Sequence, residues 1–198
     1  MDRDQQSNPL CGLTLRVLLM LGLQVIGSSL ALQAATGTDL AGTPVDPLRS
    51  AGGKPVVLVF LRTDCPVSNR YAPTIQQISS RYAGQVSFWL VYPDNAESAA
   101  TIQKHLQEYG YKVPALRDTR HALVKQGQVQ ITPEVAVFNA SGELIYHGRI
   151  DNWYQDFGHR RPAPTTHELD DAVQAALGGR KPATATAGAV GCYISDLE

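Results

Sequence analysis

Lys54–Ser68 reads KPVVLVFLRTDCPVS. Lys54 to Leu61 is apolar and β-branched without alternation, so both faces need cover, as in a strand at the centre of a sheet. It starts behind Gly52-Gly53 and runs into polar Arg62-Thr63-Asp64. From Val67 to Tyr82 the residues Tyr71, Ile75, Ile78 and Tyr82 fall at helical spacing. That spacing predicts one helix, with Pro66 in its first turn, Gly84 as its stop, and Pro73 as a point of kinking. Cys65 therefore sits where a buried strand hands over to a helix.

The same grammar continues downstream. Val86 to Tyr92 (VSFWLVY) reads as a second core strand, and Glu97 to Tyr109 as a helix closed by Gly110. Ala115-Leu116 is a brief strand, and Asp118 is placed to cap a short helix through Gln126. Val135 to Asn139 and Leu144 to Ile150 flank Ala140-Ser141-Gly142 and read as a hairpin. Thr165 or Thr166 would cap a last helix, His167 to Leu177, ended by Gly178-Gly179. Alternating strands and helices that close in a hairpin specify an α/β three-layer sandwich with a mixed central sheet.

The 198 residues give room for one domain, and 43% hydrophobic with 18% charged residues is a globular composition. A net charge of −1, without a basic cluster, argues against a nucleic-acid partner. Val17 to Ala35 (VLLMLGLQVIGSSLALQAA) is uncharged and follows Arg16, with small residues near its end, so residues 1–35 read as a secretory signal or an N-terminal anchor. The protein is thus expected to be exported, periplasmic or otherwise extracytoplasmic, and membrane-bound only if the segment is retained. Cys11 precedes the apolar run, is poorly placed for lipid attachment, and would leave with a signal. Residues 36–53, rich in Gly, Ala, Thr and Pro, read as a linker; 54–179 form the domain; 180–198 form a tail carrying Cys192.

Unpaired backbone N–H groups converge at a helix start, and they favour a thiolate over a thiol. Cys65 is therefore expected to be a reactive thiol, since polar Thr63, Asp64, Ser68 and Asn69 surround it rather than an apolar face. Arg62 and Arg70 add positive potential there, and Asp64 opposes it. The alternative is an inert core cysteine.

With Cys65-Pro66-Val67-Ser68 opening a helix and Ile131-Thr132-Pro133-Glu134 entering the hairpin, the chain from Pro55 to Leu177 resembles the thioredoxin-like superfamily. More closely it resembles the exported redoxins, allied to alkyl hydroperoxide reductases and thiol–disulfide oxidoreductases. The resemblance implies a thioredoxin-like sandwich, a cis Pro133 beside the cysteine, and Thr132 presenting its backbone to a chain docked on Cys65. It implies a protein thiol or disulfide, or a peroxide, as substrate, and an electron donor that remains unknown. Two departures stand out. Ser68 occupies the place of the second thioredoxin sulfur, so no local disulfide forms. Arg62 occupies the place where a peroxiredoxin carries a hydroxyl, and Thr63 is one residue off, which weighs against peroxidase work.

Cys192 lies in Val190-Gly191-Cys192-Tyr193-Ile194, between apolar anchors and behind a glycine that permits close approach. A related set of exported redoxins resembles this ending in its Gly-Cys-x-Ile. Cys192 is read as a resolving thiol for Cys65, with a static disulfide or an intermolecular or unpaired thiol as alternatives.

No cofactor and no metal are expected. His105, His121, His147, His159 and His167 share no ligand spacing, and Cys65, Cys192 and His147 converging is the one metal geometry considered. His105 is expected to be solvated. Arg149 either pairs with Asp151 or faces Cys65. The aromatic run Trp153-Tyr154 to Phe157 is either a docking loop or a cap over the core. The competing functional reading is a non-catalytic thioredoxin-fold module that binds a partner protein or copper.

Overall fold

The computed structural model describes residues 37–195. The expected signal or anchor lies outside the described residues, as does Cys11. No described helix is long and apolar enough to cross a membrane.

The centre of the sheet is β3 (Val56–Phe60), every residue of which is buried. It pairs in parallel with β4 (Ser87–Tyr92) on one side and antiparallel with β7 (Glu134–Phe138) on the other. β4 continues in parallel to β5 (Ala115–Arg117), and β7 turns back as the hairpin to β8 (Leu144–Gly148). The sheet is mixed, as the sequence predicts. Side chains alternate faces along a strand. Val57 and Val59 join one core with Ile75, Ile102, Leu169 and Val173, while Val56, Leu58 and Phe60 join a second with Leu123 and Val124. The helices carrying those residues, α3 (Ala72–Arg81), α4 (Ala99–Glu108) and α6 (Glu168–Leu177) on one face and α5 (Ala122–Gly127) on the other, complete the three layers.

Several expectations change. The single helix from Val67 to Tyr82 is two, α2 (Pro66–Arg70) and α3, meeting at Tyr71. Pro73 is the cause: its ring would meet the Asn69 carbonyl and it lacks an N–H, so the first helix stops and a second begins with Pro73 in its first turn. Residues expected as a linker form β1 (Gly37–Asp39), β2 (Pro44–Val45) and α1 (Pro47–Ser50), and β1 pairs antiparallel with β5. The Asp39 carboxylate accepts from Ala41 N (2.9 Å) and Thr43 N (2.8 Å) to hold the turn, and Asp46 caps α1. Asp46-Pro47 was a legible helix start.

The stretch before Cys192 is also ordered. Thr186 and Ala187 form β9 alongside β8. At Gly148, φ is +142° and an added Cβ would lie 2.2 Å from the Ala187 oxygen, so only glycine admits the tail there. In both places an otherwise bare strand edge acquires a backbone partner. The last helix begins at Glu168 rather than His167, without a side-chain cap; the Thr166 hydroxyl instead donates to Glu168 (2.7 Å).

Leu58 is fully buried between layers. Leu58→Ala is expected to lower the unfolding free energy by about 2–5 kcal/mol, read from urea denaturation at unchanged m-value.

Candidate active site

Cys65 is the N-cap of α2 and has no exposed surface. The antiparallel register of β3 and β7 places Phe60 opposite Glu134, so the end of β3 faces the segment that enters β7. That segment is β6 (Ile131–Thr132) followed by Pro133, and the Thr132–Pro133 peptide is cis. When protonated, Cys65 Sγ donates to the Thr132 carbonyl at 3.2 Å.

The second sulfur arrives on the tail. β10 (Cys192–Tyr193) pairs antiparallel with β6, with Cys192 opposite Thr132 and Tyr193 opposite Ile131. The Thr132 hydroxyl donates to the Cys192 carbonyl at 3.3 Å, and Ile194 N donates to the Gln130 carbonyl at 3.0 Å. A Cβ on Gly191 would come 2.0 Å from the Thr132 oxygen, so this pairing requires glycine. Cys65 and Cys192 are both free thiols, and Thr132 links them: its carbonyl accepts from Cys65 and its register partner is Cys192.

Burial alone pushes the Cys65 thiol up. The Cys192 thiol, the Ser68 N–H and hydroxyl, and the Val67 N–H together outweigh it, so the Cys65 pKa lies below the ordinary thiol value. Ser68 Oγ is buried without a well-aligned partner, and its contribution to Cys65 is that of a loosely oriented donor. Burial and the adjacent Cys65 push Cys192 up to about 12. The two thiols thus diverge: Cys65 is eased toward the thiolate, while burial first and then the neighbouring Cys65 keep the proton on Cys192. Arg62 contributes little positive potential at Cys65, because its guanidinium is held by Asp64 (3.0 Å) and Asp94 (3.2 Å).

The loop ahead of Cys65 is braced by Glu97, Asn69, His105 and Tyr92. Thr63 N donates to Glu97 at 2.6 Å, so Thr63 is engaged away from the sulfur. The Thr63 carbonyl accepts from Asn69 Nδ2 (3.0 Å). Asn69 Oδ1 can only accept, so His105 Nε2 carries the proton and donates to it (2.8 Å), and His105 Nδ1 accepts from the Tyr92 hydroxyl (2.9 Å). His105 is therefore a neutral buried strut, 4% exposed, and not the solvated residue expected; its burial depresses its pKa. Glu134 pins the other side, accepting from Gln130 N (2.9 Å) and Ile131 N (3.1 Å).

Arg149 neither pairs with Asp151 nor serves Cys65: its guanidinium makes two contacts with Glu168. Asp151 instead accepts from the Tyr71 hydroxyl (2.6 Å). Trp153 and Tyr154 pack on Tyr71 and cap the core, while Phe157 is 60% exposed. Phe157 lines a cavity of about 330 Å³ with Pro66, Arg70, Tyr154 and Arg160, beside the start of α2. His147 faces Glu134 at 3.7 Å, and no three metal-ligating side chains converge among the described residues.

A cysteine at a strand-to-helix junction, facing a cis-proline loop within a mixed sheet, defines a thioredoxin-fold thiol protein. The Redoxin family model matches residues 27–153, and the chain belongs to that family. It is 26% identical over 107 residues to the thiol-disulfide oxidoreductase ResA of Halalkalibacterium halodurans, covering 54% of this chain and 60% of that protein, so the chain spans less than two thirds of this relative. Among solved structures it is similar to a hypothetical protein of Sinorhizobium meliloti (TM-score 0.69, 22% identity, covering 80% of this chain and 88% of that one). It is also similar to a secreted Mycobacterium tuberculosis disulfide oxidoreductase (TM-score 0.50, 22% identity, covering 73% and 94%).

Two measurements test this electrostatic arrangement. Cys192→Ala is expected to raise the Cys65 pKa, read as a shift to higher pH in the ultraviolet thiolate titration. Burial raises the Glu97 carboxyl above its ordinary range. Its stabilising contribution is full below the unfolded carboxylate pKa and falls away as pH rises through the folded value. Glu97→Gln stays neutral and can still accept from Thr63 N. In urea titrations it is expected to match the wild type in acid and to gain stability relative to it toward neutral pH.

Proposed function

We propose that this chain is an exported thiol–disulfide oxidoreductase in which Cys65 is the nucleophile and Cys192 the resolving thiol. The observation that supports the reading is the β6–β10 pairing, which sets Cys192 opposite Thr132, the residue whose carbonyl accepts from Cys65, with both cysteines free thiols. The Cys65 thiolate attacks a substrate disulfide, forming a mixed disulfide and releasing one substrate thiolate. Cys192 then gives up its proton and attacks the Cys65 sulfur, forming Cys65–Cys192 and releasing the second substrate thiolate. Two electrons pass from the dithiol to the substrate, and an external donor restores the dithiol.

A disulfide fits the site better than a peroxide. Thr63 N and its carbonyl are committed to Glu97 and Asn69, and Arg62 is held by Asp64 and Asp94. The Thr63 side chain also turns to Glu97, and Arg62 has no hydroxyl to offer. Thr132 and Pro133 act as the backbone surface beside the nucleophile, with Ser68 and Pro66 shaping the helix start that favours the thiolate. Export is supported by the apolar Val17–Ala35 segment and by the secreted Mycobacterium tuberculosis relative.

The test is non-reducing mass mapping of the reduced protein after one equivalent of a disulfide substrate, or of peroxide. The expected product is a Cys65–Cys192 linked peptide with the disulfide, Cys192→Ser instead accumulating a mixed disulfide on Cys65. If Cys65 stays unmodified by both reagents, the enzyme reading fails and a binding module becomes the better account.

A further inference from the structure

The loop from Trp153 to Arg161 is held by its own backbone. Tyr154 and Arg160 form an isolated antiparallel bridge, Arg161 N donates to the Trp153 carbonyl (2.7 Å), and Gln155 N to the His159 carbonyl (2.9 Å). Trp153 and Tyr154 fix its root on Tyr71, yet its tip keeps Phe157 60% exposed. One exposed apolar side chain is ordinary. What distinguishes Phe157 is its company. It shares the cavity of about 330 Å³ with Tyr154, Arg70 and Arg160, and that cavity reaches Pro66 and Val67, the two residues after Cys65. No acidic residue lines it among the described residues. Arg62, Arg81 and Arg149 each meet a carboxylate, whereas among the described residues Arg70 and Arg160 meet none. Arg160 lies over the Trp153 ring, 5.2 Å from its centre, which steadies the guanidinium while leaving its N–H edge free to bond outward. The acid of the loop, Asp156, is taken up by Gly158 N, His159 N and His159 Nδ1. The cavity of about 380 Å³ lined from α3 and α6 is the contrast: there Arg81 is already paired with Asp170 at 2.8 Å.

Resting on the oxidoreductase reading, we propose that this cavity is a specificity subsite for an acidic polypeptide segment next to the disulfide that Cys65 attacks. A carboxylate of the segment accepts from the two guanidiniums, and an apolar side chain beside it packs on Phe157 and Tyr154. Because the cavity borders the two residues after Cys65, that acid lies within a few residues of the partner's cysteine. Arginine, tyrosine and phenylalanine are the side chains that protein interfaces concentrate, which favours a polypeptide over a lipid surface or a small anion. No lining residue belongs to β6 or β10, so this recognition is separate from the backbone surface at Thr132 and Pro133. The cavity therefore selects among disulfides by the charge around them and leaves the exchange itself to the sulfurs.

The probes are the peptide Phe-Glu-Ala-Cys-Ala-Glu-Phe, its cysteine held as an aryl disulfide, and the same peptide with glutamine for both glutamates. The symmetric sequence serves either chain direction. Transfer to Cys65 is followed by mass, and the readout is the ratio of the two rates within one protein, which a change in the reactivity of Cys65 itself does not move. The full chain at low salt is expected to prefer the acidic peptide roughly five- to tenfold and to lose most of that preference at high salt. The double variant Arg70→Glu, Arg160→Glu is expected to bring the ratio to one or below. Phe157→Ser is expected to slow both peptides roughly threefold or more at an unchanged ratio. Cooperative urea unfolding of each variant is the folding control. A ratio near one in the full chain, or a preference undiminished in the double variant, overturns the subsite, and indifference to Phe157→Ser overturns its apolar half. Oxidised glutathione that reacts in the same arginine-dependent way without regard to Phe157 would overturn the polypeptide in favour of a small anionic disulfide. Binding to phosphatidylglycerol vesicles that the double variant loses, with no preference between peptides, would overturn it in favour of a membrane surface. No transfer to Cys65 from any probe in any protein overturns the oxidoreductase reading, and the subsite with it.

Discussion

The pairing of β10 with β6 is the constraint on which the site depends. Cys192 lies 192 − 65 = 127 residues beyond Cys65, and a tether of that length by itself gives two thiols little reason to meet. The sheet removes the difficulty in two steps. Antiparallel β3 and β7 bring the end of one strand against the start of the other, which sets Thr132 at the Cys65 sulfur. The tail then reads its register from Thr132, and Gly191 lets it approach closely enough to do so.

The chemistry of the two thiols diverges although Arg62 is held by two carboxylates. Hydrogen bonds that favour the Cys65 thiolate overcome its burial, whereas burial, and then Cys65 itself, hold the proton on Cys192. For the proposed two-step exchange this is the order required, because a sulfur that keeps its proton stays out of the first attack. Arg62, which sequence proximity nominates as the activating charge, is neutralised by Asp64 and Asp94.

The scaffold around the pair is stiff on one side and loose on the other. Glu97, Asn69, His105 and Tyr92 brace the loop before Cys65 through a continuous run of hydrogen bonds, and Glu134 braces the proline loop. In the described part of the tail Ile194 is buried, Ala187 and Cys192 pack partly on the core, and Tyr193 is exposed. The bracing is therefore concentrated around Cys65 and the proline loop, and the sparser contacts lie in β10.

The sequence by itself determined the central layers and the place of Cys65 at a helix start. Val56–Phe60, Ser87–Tyr92 and the hairpin from Glu134 to Gly148 carry enough apolar residues in a row to declare buried strands, and Cys65-Pro66 declares a helix start by purely local chemistry. Thr132-Pro133 and the Gly191-Cys192 pair were legible as motifs. The edges were not: β1, β9 and β10 are two or three residues long, too short for any periodicity to show, and each exists because a strand elsewhere needs a partner. Nor were the polar pairings. His105 looks like a surface residue until Asn69 and Tyr92 close around it, and Arg149 sits two residues from Asp151 yet binds Glu168, nineteen positions away. Local pattern reports which residues prefer burial or a turn. Which buried polar group meets which is decided only by the tertiary structure, because each must find a partner once water is excluded, whatever its distance along the chain.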